Sequence, residues 1–288
     1  MKKVFIIGSN GLIGWTICSY LKDKKKIDLF CGIRKKNKHF NKYKIFEYNN
    51  LVKKKSIKNL NNFIIKIKPD FVINCAGVTK HVNKKKNFKI NYSLPITLSK
   101  LSKKFKFTFL HLSTDCVFSG KVGNYKETSL SDTKDNYGKI KFLTDKKLNK
   151  NKNTIILRTS TLGMEIKKKF GLLEWFLSKN KSVYGYKNVY FSGPTTLELS
   201  KIIYEFIIKK TIIKRGLYHI SSDRISKFDL LKLIKKIYNK KINITPSYET
   251  KIDRSLNNKK FLAKTNYMQK NWVTMLKEMK KFYEKKYI

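Results

Sequence analysis

The sequence predicts an α/β protein, a doubly wound parallel sheet with a smaller mixed α/β lobe after it. Two observations predict the sheet. Short apolar runs alternate with stretches of helical spacing through the first 160 residues, which is typical of a parallel sheet with helices on both faces. A glycine-rich turn over 8–14 also joins the first apolar run to the first helix. We therefore expect one domain over 1–160 and a second lobe over 161–288, with the part near 195–220 returning to the first domain.

The predicted elements follow one another with short connections. Strands are expected where apolar residues run without interruption, at 3–7, 27–33, 44–48, 71–75, 107–112 and 154–157. Helices are expected where apolar residues recur every three or four positions, from 12 onward and at 56–67, 85–103 and 137–148. Beyond 158 the pattern predicts helices near 170–179, 196–209, 226–238 and 272–284, a strand at 217–220 and an irregular aromatic stretch at 183–191. Since ligands of parallel sheets bind at the carboxyl ends of the strands, the site is expected there.

The glycine turn has the spacing of a phosphate-binding turn. Its first glycine would allow the sharp turn, its second would let backbone approach a pyrophosphate, and its third would let the helix pack on the sheet. Free N–H groups at the helix N-terminus would face the phosphates. An ordinary strand-to-helix turn is the less favoured alternative. The residues predicted to bind a cofactor here are Gly8, Asn10, Gly11, Leu12, Ile13 and Gly14.

Two more strand ends extend the predicted cofactor site. Arg34 follows the second strand, where an acidic residue would bind a ribose 2′-hydroxyl and a basic residue would accept a 2′-phosphate. Arg is rare in this chain, so Arg34 favours NADPH over NADH, which is the alternative. The fourth strand ends in small residues that would let backbone lie against a ligand, Cys75, Ala76 and Gly77.

The chain carries a formal net charge of +47, from 66 Lys and Arg against 19 Asp and Glu. Such a charge suggests a nucleic acid or an anionic membrane as partner. Only five of the basic residues are Arg, however, and lysine runs such as 84–86 and 167–169 lack the Arg forks and interleaved aromatics of nucleic-acid grooves. We expect a solvated lysine surface, produced by drift toward A/T-rich codons, which attracts phosphate ligands without binding a specific nucleic acid.

The cysteines and the N-terminus indicate the compartment. The four cysteines are scattered without a CxxC pair, which suggests a reducing compartment and no metal site. The apolar run after Met1 ends at Gly8, which is too short for a signal peptide, and no stretch is long and apolar enough to span a bilayer. We therefore expect a soluble cytoplasmic protein without membrane insertion.

Three residues suggest proton-transfer chemistry. Thr114 follows the fifth strand, Tyr137 begins a helix 23 residues later, and Lys141 lies one helical turn beyond Tyr137. A tyrosine hydroxyl, with a reference pKa of ~10, is a poor proton donor unless a nearby cation favours the phenolate. The Tyr-x-x-x-Lys spacing alone is uninformative in so Lys-rich a chain, which also contains Tyr20 and Lys24. The strand-end hydroxyl of Thr114 distinguishes the second pair from the first.

Together these motifs resemble the extended short-chain dehydrogenase/reductases, a Rossmann-fold family, and among them the dTDP-4-dehydrorhamnose reductase group. The resembling segments occur in the family's order from residue 3 to about 280, at 8–14, 74–76, 91, 113–118, 137–141, 157–160, 194–196, 216–220 and 254–257. The resemblance implies an NADPH-dependent reduction of a 4-keto-6-deoxy sugar nucleotide, as part of surface polysaccharide precursor synthesis. A nucleotide sugar is then the expected partner, and a homodimer is left open.

The resemblance also implies a role for each residue. Tyr137 would protonate the carbonyl oxygen and Thr114 would hydrogen-bond the same oxygen. Lys141 would hold the nicotinamide ribose and lower the pKa of the tyrosine, so Tyr137 and Lys141 also belong to the cofactor site. A helix-packing role is an equal alternative for Asn91. The residues implied to contact substrate are Thr79, Asn91, Thr161 and Arg254.

Two departures from the family bear on the substrate. Thr161 stands where the family commonly has an aromatic residue that lies against the sugar. Cys116 stands where many members have tyrosine. Both departures favour a sugar other than 4-keto-rhamnose, or a UDP-linked deoxy or N-acetylated sugar.

Three alternatives to the reductase share this fold. A dehydratase needs an acid-base pair directly after the threonine, typically Asp-Glu, and the sequence Asp115-Cys116 argues against it. A 4-epimerase with tightly bound NAD keeps the same threonine, tyrosine and lysine and stays open, although Arg34 favours exchangeable NADPH. A non-catalytic NADP-binding subunit also stays open, because the regulatory subunit of methionine adenosyltransferase is similar to this reductase group.

Overall fold

The structure, a computed structural model, describes residues 1–48, 50, 51, 53–78, 83–166 and 171–287. The strands in this part are β1 (Lys2–Ile7), β2 (Ile27–Ile33), β3 (Lys44–Glu47), β4 (Phe71–Asn74), β5 (Thr108–Ser113), β6 (Thr154–Arg158), β7 (Val183–Tyr186), β8 (Val189–Phe191), β9 (Gly216–His219), β10 (Ile225–Ser226), β11 (Ile244–Ser247) and β12 (Ile252–Asp253). The α-helices are α1 (Leu12–Leu21), α2 (Lys54–Ile67), α3 (Lys84–Phe88), α4 (Leu94–Phe105), α5 (Asn136–Leu148), α6 (Leu172–Leu177), α7 (Thr196–Ile202), α8 (Lys227–Ile237), α9 (Lys259–Thr265) and α10 (Trp272–Tyr287).

Seven of the strands form one sheet in the order β3-β2-β1-β4-β5-β6-β9, and every neighbouring pair is parallel. The chain moves outward from β1 to β3 and then restarts on the other side of β1 at β4. Ligands bind at such a reversal, outside the carboxyl ends of the strands. The predicted doubly wound parallel sheet is confirmed. Strand β9 comes from the C-terminal half, while the domain boundary at residue 160 stays a prediction.

Side chains of β1 alternate between the two faces of this sheet. Val4 and Ile6 are fully buried in a cluster that includes residues of α1 and α7. Phe5 and Ile7 are fully buried in the opposite cluster, with residues of α2 and α4. A strand that is covered on both faces is apolar at every position, which explains why the strands could be recognised as uninterrupted apolar runs.

The C-terminal lobe has two small sheets, with the orders β10-β8-β12 and β11-β7. The prediction of an irregular stretch over 183–191 is therefore wrong. Val183 and Gly185 are buried whereas Tyr184 and Tyr186 are exposed, which is the two-residue alternation of a strand with one solvated face. The exposed aromatic residues concealed this pattern in the sequence.

Two of the predicted helices change their winding. The helix predicted over 85–103 runs as α3, a π-helical turn at Lys89–Ser93 and α4. The helix predicted over 196–209 continues from α7 as a π-helix over Ile203–Lys209. Such π turns often occur at functional sites. No helix within the described ranges is both long enough and apolar enough to cross a membrane.

Candidate active site

The glycine turn is closed tightly at the end of β1. Gly8 has a φ of +85°, in the left-handed region, and a Cβ at this position would lie 2.5 Å from the backbone nitrogen of Ala76. A Cβ on Gly14 would lie 2.3 Å from the carbonyl oxygen of Gly8. A Cβ on Gly11 would lie 3.3 Å from the same oxygen, a contact that a small shift relieves. Gly8 and Gly14 are thus needed by the fold, whereas Gly11 suits the close approach of a ligand.

Asn10 ties this turn to the end of β2. Its Oδ1 accepts a hydrogen bond of 3.1 Å from the backbone N–H of Arg34, and its Nδ2 donates to the carbonyl of Lys35 at 3.5 Å. The Arg34 side chain is exposed. The backbone of Arg34 is therefore fixed while its guanidinium faces solvent.

A cleft of about 170 Å³ opens between the turn and the neighbouring strand ends. Tyr48 and Lys86 also line this cleft, although neither was predicted from the sequence to bind a cofactor. Lys86 gives the cleft a second cation in addition to Arg34, and two cations suit a phosphate ligand. Leu12 and Ile13 follow in the first turn of α1. The residues that line the cleft and were predicted to bind a cofactor are Gly8, Asn10, Gly11, Arg34, Cys75, Ala76 and Gly77.

Thr114 directly follows β5 and is 8% exposed. Its Oγ1 accepts a hydrogen bond of 3.2 Å from the backbone N–H of Cys116. It also donates to Oδ1 of Asp115 at 3.2 Å. The hydroxyl is thereby held at the carboxyl end of the sheet, where the sequence placed it.

Tyr137 stands in the first turn of α5, opposite this strand end. Asp135 caps the helix by accepting a hydrogen bond of 3.3 Å from the Tyr137 backbone N–H. A Cβ on Gly138 would lie 2.1 Å from the carbonyl oxygen of Cys116, so α5 begins in direct contact with the segment after Thr114. The structure thus brings Tyr137 and Thr114 together.

The surroundings of Tyr137 favour its protonated form. Burial raises the pKa of its hydroxyl, Cys116 raises it further, and a hydrogen bond with the Thr114 side chain acts in the opposite direction. A phenol that is protonated at neutral pH is the form that can give a proton to a carbonyl oxygen. The lowering of this pKa by Lys141, which the family resemblance implies, stays a prediction.

Lys141 is 4% exposed and lies one helical turn after Tyr137. Its Nζ donates a hydrogen bond of 2.7 Å to the carbonyl of Leu112 and lies 3.0 Å from Nε2 of His111. Burial lowers the pKa of Lys141 to about 8, against the opposing effect of Asp145. This lysine therefore changes its charge close to physiological pH.

A buried network fixes α5 to the sheet beside these residues. Nη2 of Arg158 lies 2.9 Å from Oδ2 of Asp145, and each side chain is 2% exposed. The Ser113 hydroxyl donates to the same carboxylate oxygen at 2.7 Å. Nη1 of Arg158 lies 3.1 Å from Nε2 of His219. The network joins α5, β5, β6 and β9, so it holds the helix of Tyr137 and Lys141 in register with the strand ends.

Arg254 reaches the same place from the C-terminal lobe. Its Nε donates a hydrogen bond of 2.9 Å to the carbonyl of Phe118, and its Nη1 lies 3.8 Å from Sγ of Cys116. Burial raises the pKa of the Cys116 thiol to about 11, and Asp115 adds to this rise. The thiol is therefore neutral at physiological pH and does not act as a base there.

The remaining predicted substrate residues are placed differently. Asn91 is buried, and its amide donates to the carbonyl of Val78 at 2.8 Å and to Oδ1 of Asn87 at 2.7 Å. These bonds anchor the chain after Gly77, in keeping with a packing role, while a contact with substrate stays a prediction. Thr161 is half-buried after β6. Thr79 lies outside the described residues.

Lys227 is a partly buried lysine of the C-terminal lobe that the sequence did not single out. It lies in the first turn of α8, and its Nζ is 4.4 Å from the centroid of the Phe191 ring. Burial lowers the pKa of Lys227, and Asp115, the residue after Thr114, acts in the opposite direction. In a chain so rich in lysine, no sequence signal separated this one from those on the surface.

The parallel sheet, the glycine turn and the threonine, tyrosine and lysine at its strand ends define an extended short-chain dehydrogenase/reductase. Within that class, the family model described as the RmlD substrate binding domain matches residues 1–284. The chain belongs to this family. No curated protein matches the chain in sequence.

Solved structures share the fold over nearly the whole chain. A hypothetical dTDP-4-dehydrorhamnose reductase from Sulfolobus tokodaii is 25% identical, with 90% of this chain and 93% of that chain covered and a TM-score of 0.71. The dTDP-4-dehydrorhamnose reductase of Bacillus anthracis, solved in complex with NADP, is 20% identical, with 99% of each chain covered and a TM-score of 0.80. The dTDP-glucose 4,6-dehydratase of the same organism, solved with NAD, is 15% identical, with 99% of this chain and 97% of that chain covered and a TM-score of 0.79. The fold alone therefore does not decide between reduction and dehydration.

Proposed function

We propose that this protein is an NADPH-dependent reductase of a nucleotide-linked 4-keto-6-deoxy sugar. The observation that carries the proposal is the meeting of Thr114, Tyr137 and Lys141 at one strand end, where α5 packs directly on the segment after Thr114. Membership of the RmlD substrate binding domain family supports it. So does the likeness to two proteins that are described as dTDP-4-dehydrorhamnose reductases.

The residues at the glycine turn fit a dinucleotide. Gly8 brings the turn against the backbone of Ala76, and Gly11 leaves space for a pyrophosphate to approach. Arg34 and Lys86 line the same cleft and would pair with the 2′-phosphate that distinguishes NADPH from NADH. NADH is the alternative cofactor. When bound, the nicotinamide would supply the hydride for the carbonyl carbon.

The chain itself would supply the proton. Tyr137, whose raised pKa keeps its hydroxyl protonated, would give that proton to the carbonyl oxygen as negative charge develops there. The Thr114 hydroxyl, held beside it, would release Asp115 and donate its one hydrogen to the same oxygen. Lys141 would donate to the nicotinamide ribose and, when charged, favour the phenolate that is left on Tyr137.

Cys116 supports reduction over dehydration. A dehydratase needs a carboxylic acid and a base to remove a proton and a hydroxyl group from adjacent carbons. The Cys116 thiol, with a pKa raised to about 11, stays protonated at neutral pH and does not provide the base. Asp115 alone cannot fill both roles.

The residues at the end of the site that would bind the substrate favour a sugar with a modified ring. The small side chain of Thr161 leaves more room than an aromatic residue would, and the cations of Arg254 and Lys227 suit a sugar nucleotide. Cys18, Cys31, Cys75 and Cys116 are free thiols, which supports action in the reducing cytoplasm. Assembly as a homodimer stays a prediction.

The proposal can be tested with purified protein, NADPH and a panel of dTDP- and UDP-linked 4-keto sugars. Oxidation of NADPH is followed by its absorbance. We expect Tyr137→Phe to lower kcat at least 100-fold, which corresponds to about 2.7 kcal/mol in the activation free energy. Tyr20→Phe is the matched control because Tyr20 and Lys24 repeat the spacing of the active pair away from the cleft.

Three outcomes would contradict the proposal. Absence of NADPH oxidation with every sugar would exclude the reductase. Equal activity of Tyr137→Phe and Tyr20→Phe would remove Tyr137 from the chemistry. Isolation of the protein with tightly held NAD, together with conversion of a sugar nucleotide to its 4-epimer, would make it an epimerase.

A further inference from the structure

His111 is a titratable residue between the apolar Leu110 and Leu112 of a buried strand. It lies in β5, three residues before Thr114, and is 1% exposed. Burial and the neighbouring Lys141 lower the pKa of its imidazole well below the usual range. The ring is therefore neutral and carries one N–H, so one ring nitrogen donates a hydrogen bond and the other accepts one.

A chain of hydrogen bonds runs through this ring from Lys141 to the cofactor cleft. Nε2 of His111 lies 3.0 Å from Nζ of Lys141, and Nδ1 lies 3.2 Å from Nδ2 of Asn74. Oδ1 of Asn74 accepts a hydrogen bond of 3.2 Å from the backbone N–H of Ala76. Ala76 lines the cleft at the glycine turn.

In this series of hydrogen bonds, every donor faces an acceptor when Lys141 is uncharged. Asn74 accepts from Ala76 with its oxygen, so its amide nitrogen donates to Nδ1 of His111, which must then carry no proton. The proton of the ring is on Nε2 and points at Nζ of Lys141. A neutral amine can accept it while it donates to the carbonyl of Leu112.

When Lys141 is charged, the same series of hydrogen bonds would place the Lys141 ammonium, a donor, against the Nε2–H of His111, which is also a donor. An ammonium has no lone pair, so Nε2 of His111 must accept and its proton must move to Nδ1. Asn74 then has to turn its oxygen toward Nδ1. That turn removes the acceptor of the Ala76 N–H, which becomes available to another acceptor in the cleft.

We propose that His111 is a positioning residue that couples the charge of Lys141 to the backbone N–H of Ala76, through the imidazole tautomer and the Asn74 amide. The coupling rests on the proposed function in one respect. Lys141 would already bind the cofactor through the nicotinamide ribose, and the coupling gives it a second, indirect effect on cofactor binding. Charging Lys141 releases an N–H toward the cleft, and an anionic ligand that takes this N–H favours the charged lysine in return.

The charged neighbours agree with such a switch. Asp145 on α5 is the group that favours the charged form of Lys141, against the effect of burial. Lys141 is the charged group that acts on His111. Because the lysine pKa is about 8, both states are populated near physiological pH.

Nuclear magnetic resonance of the wild-type protein tests the coupling without any sugar. Protein labelled with ¹⁵N is titrated between about pH 6 and pH 10, the range that brackets the lysine transition. We expect His111 to carry its proton on Nδ1 at low pH and on Nε2 at high pH, with the Ala76 amide signal shifting at the same midpoint. Saturating NADPH should move this midpoint upward, and NADPH affinity should fall by at most about tenfold per pH unit above it.

The variant His111→Phe keeps an apolar ring in the strand and removes both hydrogen bonds. We expect its Ala76 amide to lose the pH response while the Lys141 Nζ signal still titrates. The variant His111→Gln, which retains a donor and an acceptor, should restore part of the response. If the substituted proteins do not fold, the wild-type titration still decides the matter.

Either of two results would overturn the coupling: a single His111 tautomer at every pH, or an Ala76 amide that does not follow Lys141. Sugar turnover together with either result would leave the proposed reductase intact. Conversely, the coupled titration without turnover of any sugar would support the switch and defeat the reductase.

Discussion

Substitution of Gly11 by alanine separates the two uses of glycine in the phosphate-binding turn. Gly11 is the N-cap of α1 with a φ of −83°, so alanine adopts its backbone conformation without strain. The added Cβ would lie 3.3 Å from the Gly8 carbonyl oxygen, which a shift of a few tenths of an ångström relieves. The fold therefore tolerates alanine, whereas a phosphate that approaches the backbone does not.

The size of each effect follows from these contacts. Alanine is a poorer N-cap than glycine, and we expect Gly11→Ala to lower the free energy of unfolding by about 0.5–1 kcal/mol. Displacing the pyrophosphate costs one charge-assisted hydrogen bond from the backbone, about 1.5–3 kcal/mol. NADPH affinity should then fall by about 10- to 150-fold. In Gly14→Ala the Cβ meets the Gly8 oxygen at 2.3 Å, so stability should fall by about 1–3 kcal/mol.

Calorimetric titration with NADPH and urea unfolding without it measure the two effects separately. Gly171→Ala is the matched control, because Gly171 is also a helix N-cap without a side-chain cap, in α6, and its added Cβ would lie no nearer than 3.8 Å to any residue that the structure describes. The control should lose similar stability and no affinity. If Gly11→Ala binds NADPH as tightly as Gly171→Ala does, the turn does not hold the pyrophosphate and the cofactor site has been misplaced.

Three further predictions concern the supports of the site. Arg158→Met leaves the Asp145 carboxylate buried without its partner and should lower the free energy of unfolding in urea by about 3–5 kcal/mol. An unchanged urea concentration at the unfolding midpoint would contradict a stabilising role of the network. The pKa of His219 is lowered to about 3 by burial, so its contribution to stability is present above about pH 6.5 and is lost as the pH falls toward 3. The slope is at most about 1.4 kcal/mol per pH unit, and His219→Gln should reduce it. Asp135→Ala removes the cap of the helix that carries Tyr137 and should cost about 1 kcal/mol, with a fall in kcat that Asp23→Ala, on the surface, does not cause.

The central sheet was predictable because its strands are covered on both faces. Strand β2 was predicted at 27–33 and has those bounds, since its apolar run ends abruptly at charged residues. The small sheets of the lobe gave weaker signals. Strand β11 contains Pro246, which argues against a strand in sequence, but among the described strands it pairs with β7 alone, in a two-stranded sheet where a missing N–H is tolerated.

The candidate site was predictable where chemistry coincides with the end of an element. Thr114 and the glycine turn lie at strand ends, and parallel strands bring their carboxyl ends to one edge. His111 could not be assigned in this way, because a polar residue inside a strand reveals its partners only when the neighbouring strand and helix are placed. The one signal in the sequence was its position within the apolar run 107–112.

The two tyrosine-lysine pairs show that composition does not separate the proposed catalytic lysine from the others, whereas burial does. Lys24 is half-buried, and its Nζ lies 4.3 Å from the Tyr20 ring and 5.0 Å from the Tyr204 ring, as expected of a lysine that covers surface aromatics while its charge stays hydrated. Lys141 has lost almost all contact with solvent. Burying an ammonium is costly unless other groups compensate, and the hydrogen-bond partners of Lys141 among the described residues are the Leu112 carbonyl and the switchable His111 ring. Lys141 therefore differs from the many solvated lysines of this chain in its pKa. The pKa is the property that proton-transfer chemistry uses.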